Sequence, residues 1–405
     1  MSRLPLLYLV HRIPYPPNKG DKVRSFNILR HLARHFRVYL GCFVDHPDDL
    51  THVPELAEWC EDTCAVSIRP LLSRLASLRG LLSGEALTVP YYRKTTMARW
   101  VRDSVARQSI EHAVVFSGAM AQYLEGLALK RCLIDFCDVD SAKWTQYAQS
   151  RRWPMSWLYQ REGARLGRFE RDWAARADVS TFVTAAERGL FLGQAPHLAS
   201  RTEVVENGVD ADYFAPANAG PSPYPEGVRQ VVFSGAMDYW PNVDAACWFA
   251  NEVMPLLRAR LQGLEFTVVG MNPTPAVRAL EGLGYVRVTG TVADVRPYVA
   301  HGDVVVAPLR VARGIQNKVL EAMSLARPVV VSTASLTGLR ATPGEEFLAA
   351  GSANEFADAV AVALEPADAA RIGAAARARV VADYSWEAHV GALREMLRFD
   401  REGAA

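Results

Sequence analysis

Apolar positions along this chain come in short runs separated by stretches with helical spacing, and the two patterns alternate from end to end. In the first half the runs predict strands at 4–10, 38–43, 65–68, 113–116, 132–136 and 179–183. Between them lie predicted helices around 24–35 and 54–60 and a long helical stretch at 153–176. The second half repeats the grammar more cleanly, with strands at 230–234, 266–270, 286–289, 304–308 and 328–332. Strands that alternate with helices imply an α/β fold built on parallel sheets, with ligands at the carboxyl ends of the strands. Two such blocks in series predict two Rossmann-like domains. The joint falls near Val204–Asp210, where an apolar strand meets Asn207-Gly208, so the domains are expected at 1–206 and 207–383. Residues 216–225, rich in Pro, Ala, Gly and Ser, read as a surface loop. A last helix at 386–399 follows Ser385, a suitable N-cap, and residues 384–405 form a separate terminal element.

One junction carries more chemistry than the others. After the apolar run 303–309 comes Arg313-Gly314-Ile315-Gln316-Asn317-Lys318-Val319-Leu320-Glu321, opening a helix expected to reach Ala326. Glycine, having no Cβ, lets a ligand approach the backbone closely. The first N–H groups of the helix then form an anion site reinforced by its dipole. Lys318 adds a point charge for a phosphate, and Glu321, one turn on, can accept hydrogen bonds from vicinal hydroxyls such as those of a ribose. Anion followed by diol is the layout a nucleoside diphosphate requires. A second anion clamp is predicted at Asn18-Lys19-Gly20-Asp21-Lys22, a strand-to-helix loop with two lysines.

Composition narrows the class without changing it. Half of the 405 residues are hydrophobic and 22% are charged, ordinary values for a globular protein. No apolar run approaches the length of a membrane span, and the N-terminus lacks the long apolar region and cleavage site of a signal peptide, so a cytoplasmic setting is expected. The six cysteines fit reduced thiols; Cys60 and Cys64, four apart on the predicted helix, lack the further ligands a zinc site needs. The net charge of +1 conceals an imbalance, because residues 1–206 hold 28 Lys+Arg against 22 Asp+Glu. Basic residues gather at 69–107 and at 151–176, the latter interleaved with Trp153, Trp157, Phe169 and Trp173. Such helices either contact an anionic membrane surface peripherally or are solvated faces with a core-facing aromatic stripe. Nucleic acid is not expected as a partner, since a pI near 7.7 is low for it.

Several runs occur in the order seen in a known enzyme group. They are Glu206-Asn207-Gly208-Val209-Asp210, Phe233-Ser234-Gly235, Gly270, Gly290-Thr291-Val292 and the Arg313–Glu321 segment. Together they resemble the retaining GT-B glycosyltransferases of family 4, across nearly the whole chain. Finer features are similar to sugar transferases associated with the PEP-CTERM/exosortase system of bacteria. These are the 12–25 segment, Asp138-Val139-Asp140-Ser141-Ala142-Lys143-Trp144 and Met237-Asp238-Tyr239-Trp240-Pro241-Asn242-Val243-Asp244-Ala245.

The resemblance implies two Rossmann-like domains facing a central cleft, with the final helix crossing back to the N-terminal domain. It implies that the second domain holds a nucleoside-diphosphate sugar, a UDP- or GDP-sugar, and the first the acceptor, a glycan or lipid-linked glycan. No cofactor and no metal are implied, the leaving diphosphate being neutralised by helix N-termini and basic side chains. Gly235, Gly270, Gly290, Thr291, Val292, Gly314, Ile315, Gln316, Asn317, Lys318 and Glu321 would contact the donor. Asn18, Lys19, Gly20, Asp21 and Lys22, with Asp138 and Asp140, would serve the acceptor and phosphates. Catalysis would rest on Glu321, Lys318, Arg313 and Asp21, although no general base is assigned, the leaving phosphate itself guiding the acceptor hydroxyl. The Asp138-Val139-Asp140 run looks like a metal motif of another glycosyltransferase fold, yet its place in the acceptor domain favours a polar role.

Two features depart from the family. Arg313 stands where the first Glu of the Glu-x7-Glu motif belongs, and the Arg/Lys pair after Phe233-Ser234-Gly235 is replaced by Met237 and Asn242. Arg313, Lys318, Arg310 and Lys19 are the candidates for the missing positive charge. Two rival readings follow: a sugar-nucleotide epimerase using Asp138 with Asp140, or a non-catalytic nucleotide-sugar-binding scaffold for polysaccharide synthesis.

Overall fold

A computed structural model describes residues 3–17, 20–149, 152–311, 316–336 and 339–397. The chain divides into two compact units, one running to Asn207 and resuming at His389, the other Gly208–Ala388.

The first unit is built on a seven-stranded parallel sheet. In chain order its strands are β1 (Leu4–Val10), β2 (Phe36–Val44), β3 (Asp62–Ser67), β4 (His112–Phe116), β5 (Arg131–Cys137), β6 (Val179–Phe182) and β7 (Thr202–Val204). They lie in the order β3-β2-β1-β4-β5-β6-β7. The second unit carries six parallel strands: β8 (Arg229–Ser234), β9 (Leu264–Val269), β10 (Val286–Val288), β11 (Val304–Ala307), β12 (Val329–Ser332) and β13 (Leu348–Ala350). Their order is β10-β9-β8-β11-β12-β13. In each sheet the order reverses direction once, between β1 and β4 and between β8 and β11. Connections leave that point on opposite faces, so a crevice opens at the carboxyl ends of these strands.

The apolar runs are continuous because both faces of each sheet are covered. Val304 and Val306 project into one core with Phe233, Phe266 and Val330. Val305 and Ala307 project into the other with Val319, Leu320 and Val331. This two-residue alternation is what a strand imposes on its side chains.

Several sequence expectations need correcting. Residues 54–60 are not a helix but a short 3-10 turn, Pro54–Glu58, after another at Pro47–His52. Each turn opens on a proline, tolerated at a first position, and Pro54 keeps the first from running on into the second. Cys64 therefore lies on β3 rather than on a helix with Cys60. All six cysteines are free. The helix at 24–35 begins earlier, at Gly20. The long helix is Met155–Arg176, with Trp153 and Pro154 outside it. The aromatic residues of the 153–176 stretch do not form one core stripe: Trp173 is buried, whereas Trp153 and Trp157 are exposed. The helix after β11 spans Asn317–Ser324 and stops short of Ala326. The last described helix, Trp386–Leu397, begins in the second unit and continues in the first from His389. Ser385 Oγ accepts from the Ala388 amide at 3.2 Å, as a cap would.

Candidate active site

The second unit gathers its polar groups at the point where its strand order reverses. Gly235 follows β8 and Gly270 follows β9, with φ values of 157° and 153°. A Cβ on Gly270 would sit 1.6 Å from the carbonyl oxygen of Gly235, so no side chain fits there. A Cβ on Gly235 would lie 2.7 Å from Asn242 Nδ2 and 2.9 Å from Lys318 Nζ. Gly270 is therefore required by backbone contact, and Gly235 by its positive φ and the side chains packed against it. The loop behind them is stitched down by Met237 N–H to Met271 O at 2.8 Å and by Asn242 Nδ2 to Ala236 O at 2.9 Å.

Lys318 stands in the space this leaves. Its ammonium donates to Asn242 Oδ1 at 2.6 Å and sits 4.4 Å from the centre of the Phe233 ring, which is fully buried. Burial brings the Lys318 pKa down to about 8, with Glu321 opposing the fall. Burial likewise brings Glu321 up to about 7, against the pull of Lys318. Both residues are partly buried and burial shifts each toward its neutral form, a state that favours a ligand able to supply charge or hydroxyls. Gln316 does not cap the first turn of the 317–324 helix with its side chain. Asn317, in that turn, is exposed.

The other predicted donor residues fall nearby or outside view. Val292 packs on the apolar cluster that holds Val319 and Leu320, Thr291 is exposed, and Gly290 turns with φ of 71°. Arg313, Gly314 and Ile315, like Asn18 and Lys19, lie outside the described residues. Arg310 is not a free cation, because Asp244 grips its guanidinium through both oxygens, with Nε to Oδ2 at 2.9 Å. Sequence reasoning missed a second group on this side. Tyr213 lies under Arg296, whose guanidinium is 3.8 Å from the ring centre and is paired with Asp294 at 2.7 Å. The Tyr213 hydroxyl is pushed up by burial and then by Asp294 and Asp210, with Glu321 adding to the effect. Only Asn242, flagged as a departure from the family, had a sequence signal.

The first unit arranges its strand ends differently. Arg12, just after β1, is held by Asp21 and by Asp45, to which its Nη2 donates at 2.8 Å. His11 Nε2 is 3.4 Å from Asp21, and its ring stacks 5.6 Å from Phe116. Although burial works against it, the Asp21 carboxyl is held far below its usual range by His11 and Arg12. Asp21 is thus a committed anion and a poor proton acceptor. Lys22 does not serve a phosphate loop: it is buried and paired with Asp49 at 2.7 Å. Gly20 is open to solvent and opens the helix.

Asp138 and Asp140 carry their own cation. Lys143 Nζ donates to Asp138 Oδ2 at 2.7 Å and to Asp140 Oδ1 at 3.0 Å, and the pair raises its pKa despite burial. The loop is anchored by Glu170, which accepts from Ser141 N–H at 3.1 Å and from its hydroxyl. Glu187 takes the Val139 amide at 2.7 Å. Gly163 makes this packing possible, since a Cβ there would meet Thr145 Oγ1 at 2.5 Å.

Residues 228–365, which contain Gly235, Asn242, Gly270, Lys318 and Glu321, match the family model of the group 1 glycosyl transferases. Solved structures align over nearly the full length. A glycosyltransferase from Rickettsia africae superposes with a TM-score of 0.64 at 13% identity, covering 98% of each chain. The HepE protein of Anabaena in complex with UDP gives 0.63 at 16% identity, covering 98% of this chain and 99% of its own. Sucrose-phosphate synthase from Thermosynechococcus elongatus gives 0.62 at 18% identity, over 97% and 98%. The fold is GT-B. Among curated protein sequences there is no significant match. The two Rossmann-like domains of a GT-B glycosyltransferase correspond to the two sheets described above. The segment that matches the group 1 model holds Lys318 and Glu321 on the helix after β11, beside the sheet's reversal point.

Proposed function

We propose that this chain transfers a sugar, of hexose type, from a nucleoside-diphosphate donor to a glycan or lipid-linked acceptor with retention at the anomeric carbon. The observation that carries the reading is the half-buried Lys318–Glu321 pair beside Gly235 and Gly270, within the segment that matches the group 1 transferases. Glu321 would accept the ribose hydroxyls. Lys318, with one of its three N–H groups on Asn242, would offer the others to the diphosphate. The C1–O bond to phosphate breaks as the acceptor oxygen bonds C1 on the same face, and the acceptor proton passes to the leaving phosphate. Asp21, tied to Arg12 and His11, would position the loop rather than take that proton. Charge on the diphosphate would be met by Lys318 and the helix start rather than by a metal, so EDTA is expected to leave the rate unchanged.

HepE has been crystallised with UDP-glucose, which makes UDP-glucose the first donor to try. In a bacterial exopolysaccharide or cell-surface pathway of the PEP-CTERM type, the acceptor would be presented at the inner face of the cytoplasmic membrane. The protein would meet that membrane peripherally. Purified protein is expected to release UDP or GDP from a matched nucleotide sugar only when acceptor is present, and to lose that turnover in Glu321→Ala. Interconversion of the donor without acceptor would sink this reading in favour of the epimerase. That rival is weakened by Lys143, which binds both of the carboxylates it would use. Nucleotide binding with no turnover on any acceptor would favour the scaffold.

A further inference from the structure

Helices of water-soluble proteins bury leucine and expose serine. Residues 70–83 of the first unit do the reverse. Across the consecutive helices Pro70–Ser77 and Arg79–Ser83, the inward positions are Ser73, Ser77 and Gly80. Leu71, Leu72, Leu75, Leu78, Leu81 and Leu82 all face out, Leu71 at 74% exposure and Leu82 at 93%. The inverted orientation is fixed by polar contacts beneath it. Lys94 Nζ donates to Ser73 Oγ at 3.1 Å, and Arg161 Nη2 donates to the Gly80 carbonyl at 2.6 Å. Rolling the helix to hide its leucines would break both.

Beside this face stands a second apolar group at the start of the 155–176 helix. Trp153 is 80% exposed, and Met155 and Trp157 are exposed with it. The two groups border one cavity of about 620 Å³, with Leu78 and Arg74 on one wall and Met155 and Leu158 on the other. Arg69, just before the leucine helices, and Arg74 and Arg79 on them are exposed and make no ion pair among the described residues. Among the described residues no helix is long and apolar enough to cross a membrane.

We propose that the Pro70–Ser83 helices, with Trp153 and Trp157, form the face by which this protein docks on an anionic lipid bilayer. Leucines enter the acyl boundary, tryptophans sit at headgroup level, and the arginines meet anionic headgroups. Large apolar side chains rimmed by unpaired cations are what an interfacial helix requires. The arginines argue against a second copy of this face as the occupant, because like charges would oppose each other. The proposal takes its partner from the peripheral-membrane reading above and adds the residues that touch lipid.

Co-sedimentation of the full chain with vesicles tests it. Binding to phosphatidylcholine vesicles with about 30% phosphatidylglycerol is expected to be about tenfold tighter than to phosphatidylcholine alone, and to weaken as salt is raised. Leu72→Asp with Leu75→Asp and Leu82→Asp is expected to weaken it about tenfold or more, and Arg69→Gln with Arg74→Gln and Arg79→Gln to abolish the salt dependence. If the triple leucine variant fails to fold, Leu82→Asp alone carries the test. Equal binding by wild type and variants, or none to either vesicle, overturns the proposal. So does a dimer in sedimentation velocity that the leucine changes dissociate. Stabilisation by UDP, measured on the same variants, is expected to stay at the wild-type level. Loss of lipid binding with UDP binding kept separates this surface from the sugar-transfer reading.

Discussion

At the strand ends of the first unit every described charge that sequence reasoning noticed meets an opposite charge of its own. Arg12 lies against Asp21 and Asp45, Lys22 against Asp49, and Lys143 against Asp138 and Asp140. Deeper still, Arg24 and Asp135 form a pair with almost no solvent exposure, Nε to Oδ2 at 2.8 Å. At the strand ends of the second unit Lys318 and Glu321 compensate each other only partly, and both pKa values move toward neutrality. Self-paired charges hold a scaffold in shape, whereas under-compensated ones are poised for a guest. The same folding pattern thus yields one strand-end surface that is electrostatically closed and one that is open.

Four experiments would break or sharpen this contrast. Gly270→Ala should be the most damaging, since its Cβ would overlap the Gly235 carbonyl; a loss of about 4 kcal/mol or more is expected, read as a lowered melting temperature of the second unit. Asp135→Asn strands Arg24 as a buried cation, with Thr181 Oγ1 and the Cys137 amide losing the carboxylate as well. It should cost about 3–5 kcal/mol of stability while UDP affinity is kept, and Arg24→Met added to Asp135→Leu should recover most of the loss. Unchanged stability in Asp135→Asn would refute the closed-surface account. Glu321→Ala should weaken UDP binding by about 10- to 100-fold in calorimetry, the range for losing charge-assisted hydrogen bonds, with little change in fold.

The smallest effect is on pH. Glu321 has a raised folded pKa of about 7, so the stability it contributes is present at low pH and is lost as pH rises through 7. Lys318 has a lowered folded pKa of about 8, so its contribution is present at high pH and is lost as pH falls through 8. Thermal unfolding of wild type minus Glu321→Gln should therefore decline toward pH 7. Wild type minus Lys318→Met should rise above pH 8. Flat differences would show that the pair is hydrated after all.

Much of the scaffold was readable in advance because it depends on local pattern. The runs at 304–308 and 328–332 became β11 and β12 nearly as drawn. β13 escaped notice because three residues, Leu348–Ala350, carry too little periodicity. Glu321 and Lys318 were legible from a strand, a glycine and a helix start in sequence. Their setting was not, since Asn242 reaches Lys318 across 76 positions and Asp135 reaches Arg24 across 111. Lys22 misled for the same reason. A lysine in a glycine-rich loop reads as an anion clamp until Asp49, 27 positions on, is found against it.

The contact between Gly235 and Gly270 has a consequence for how donor preference can change. A Cβ on Gly270 would have 1.6 Å to the Gly235 carbonyl and one on Gly235 would crowd Asn242 and Lys318 at a positive φ, so neither position readily carries a recognition group. Were the proposed donor to lodge against that seam, it would meet main chain there and no side chain of Gly235 or Gly270. Selectivity for base or sugar would then fall to the surrounding side chains, with Asn242, Tyr213 and Arg296 as the places to edit. Libraries aimed at a new donor should leave the seam untouched and vary its margin.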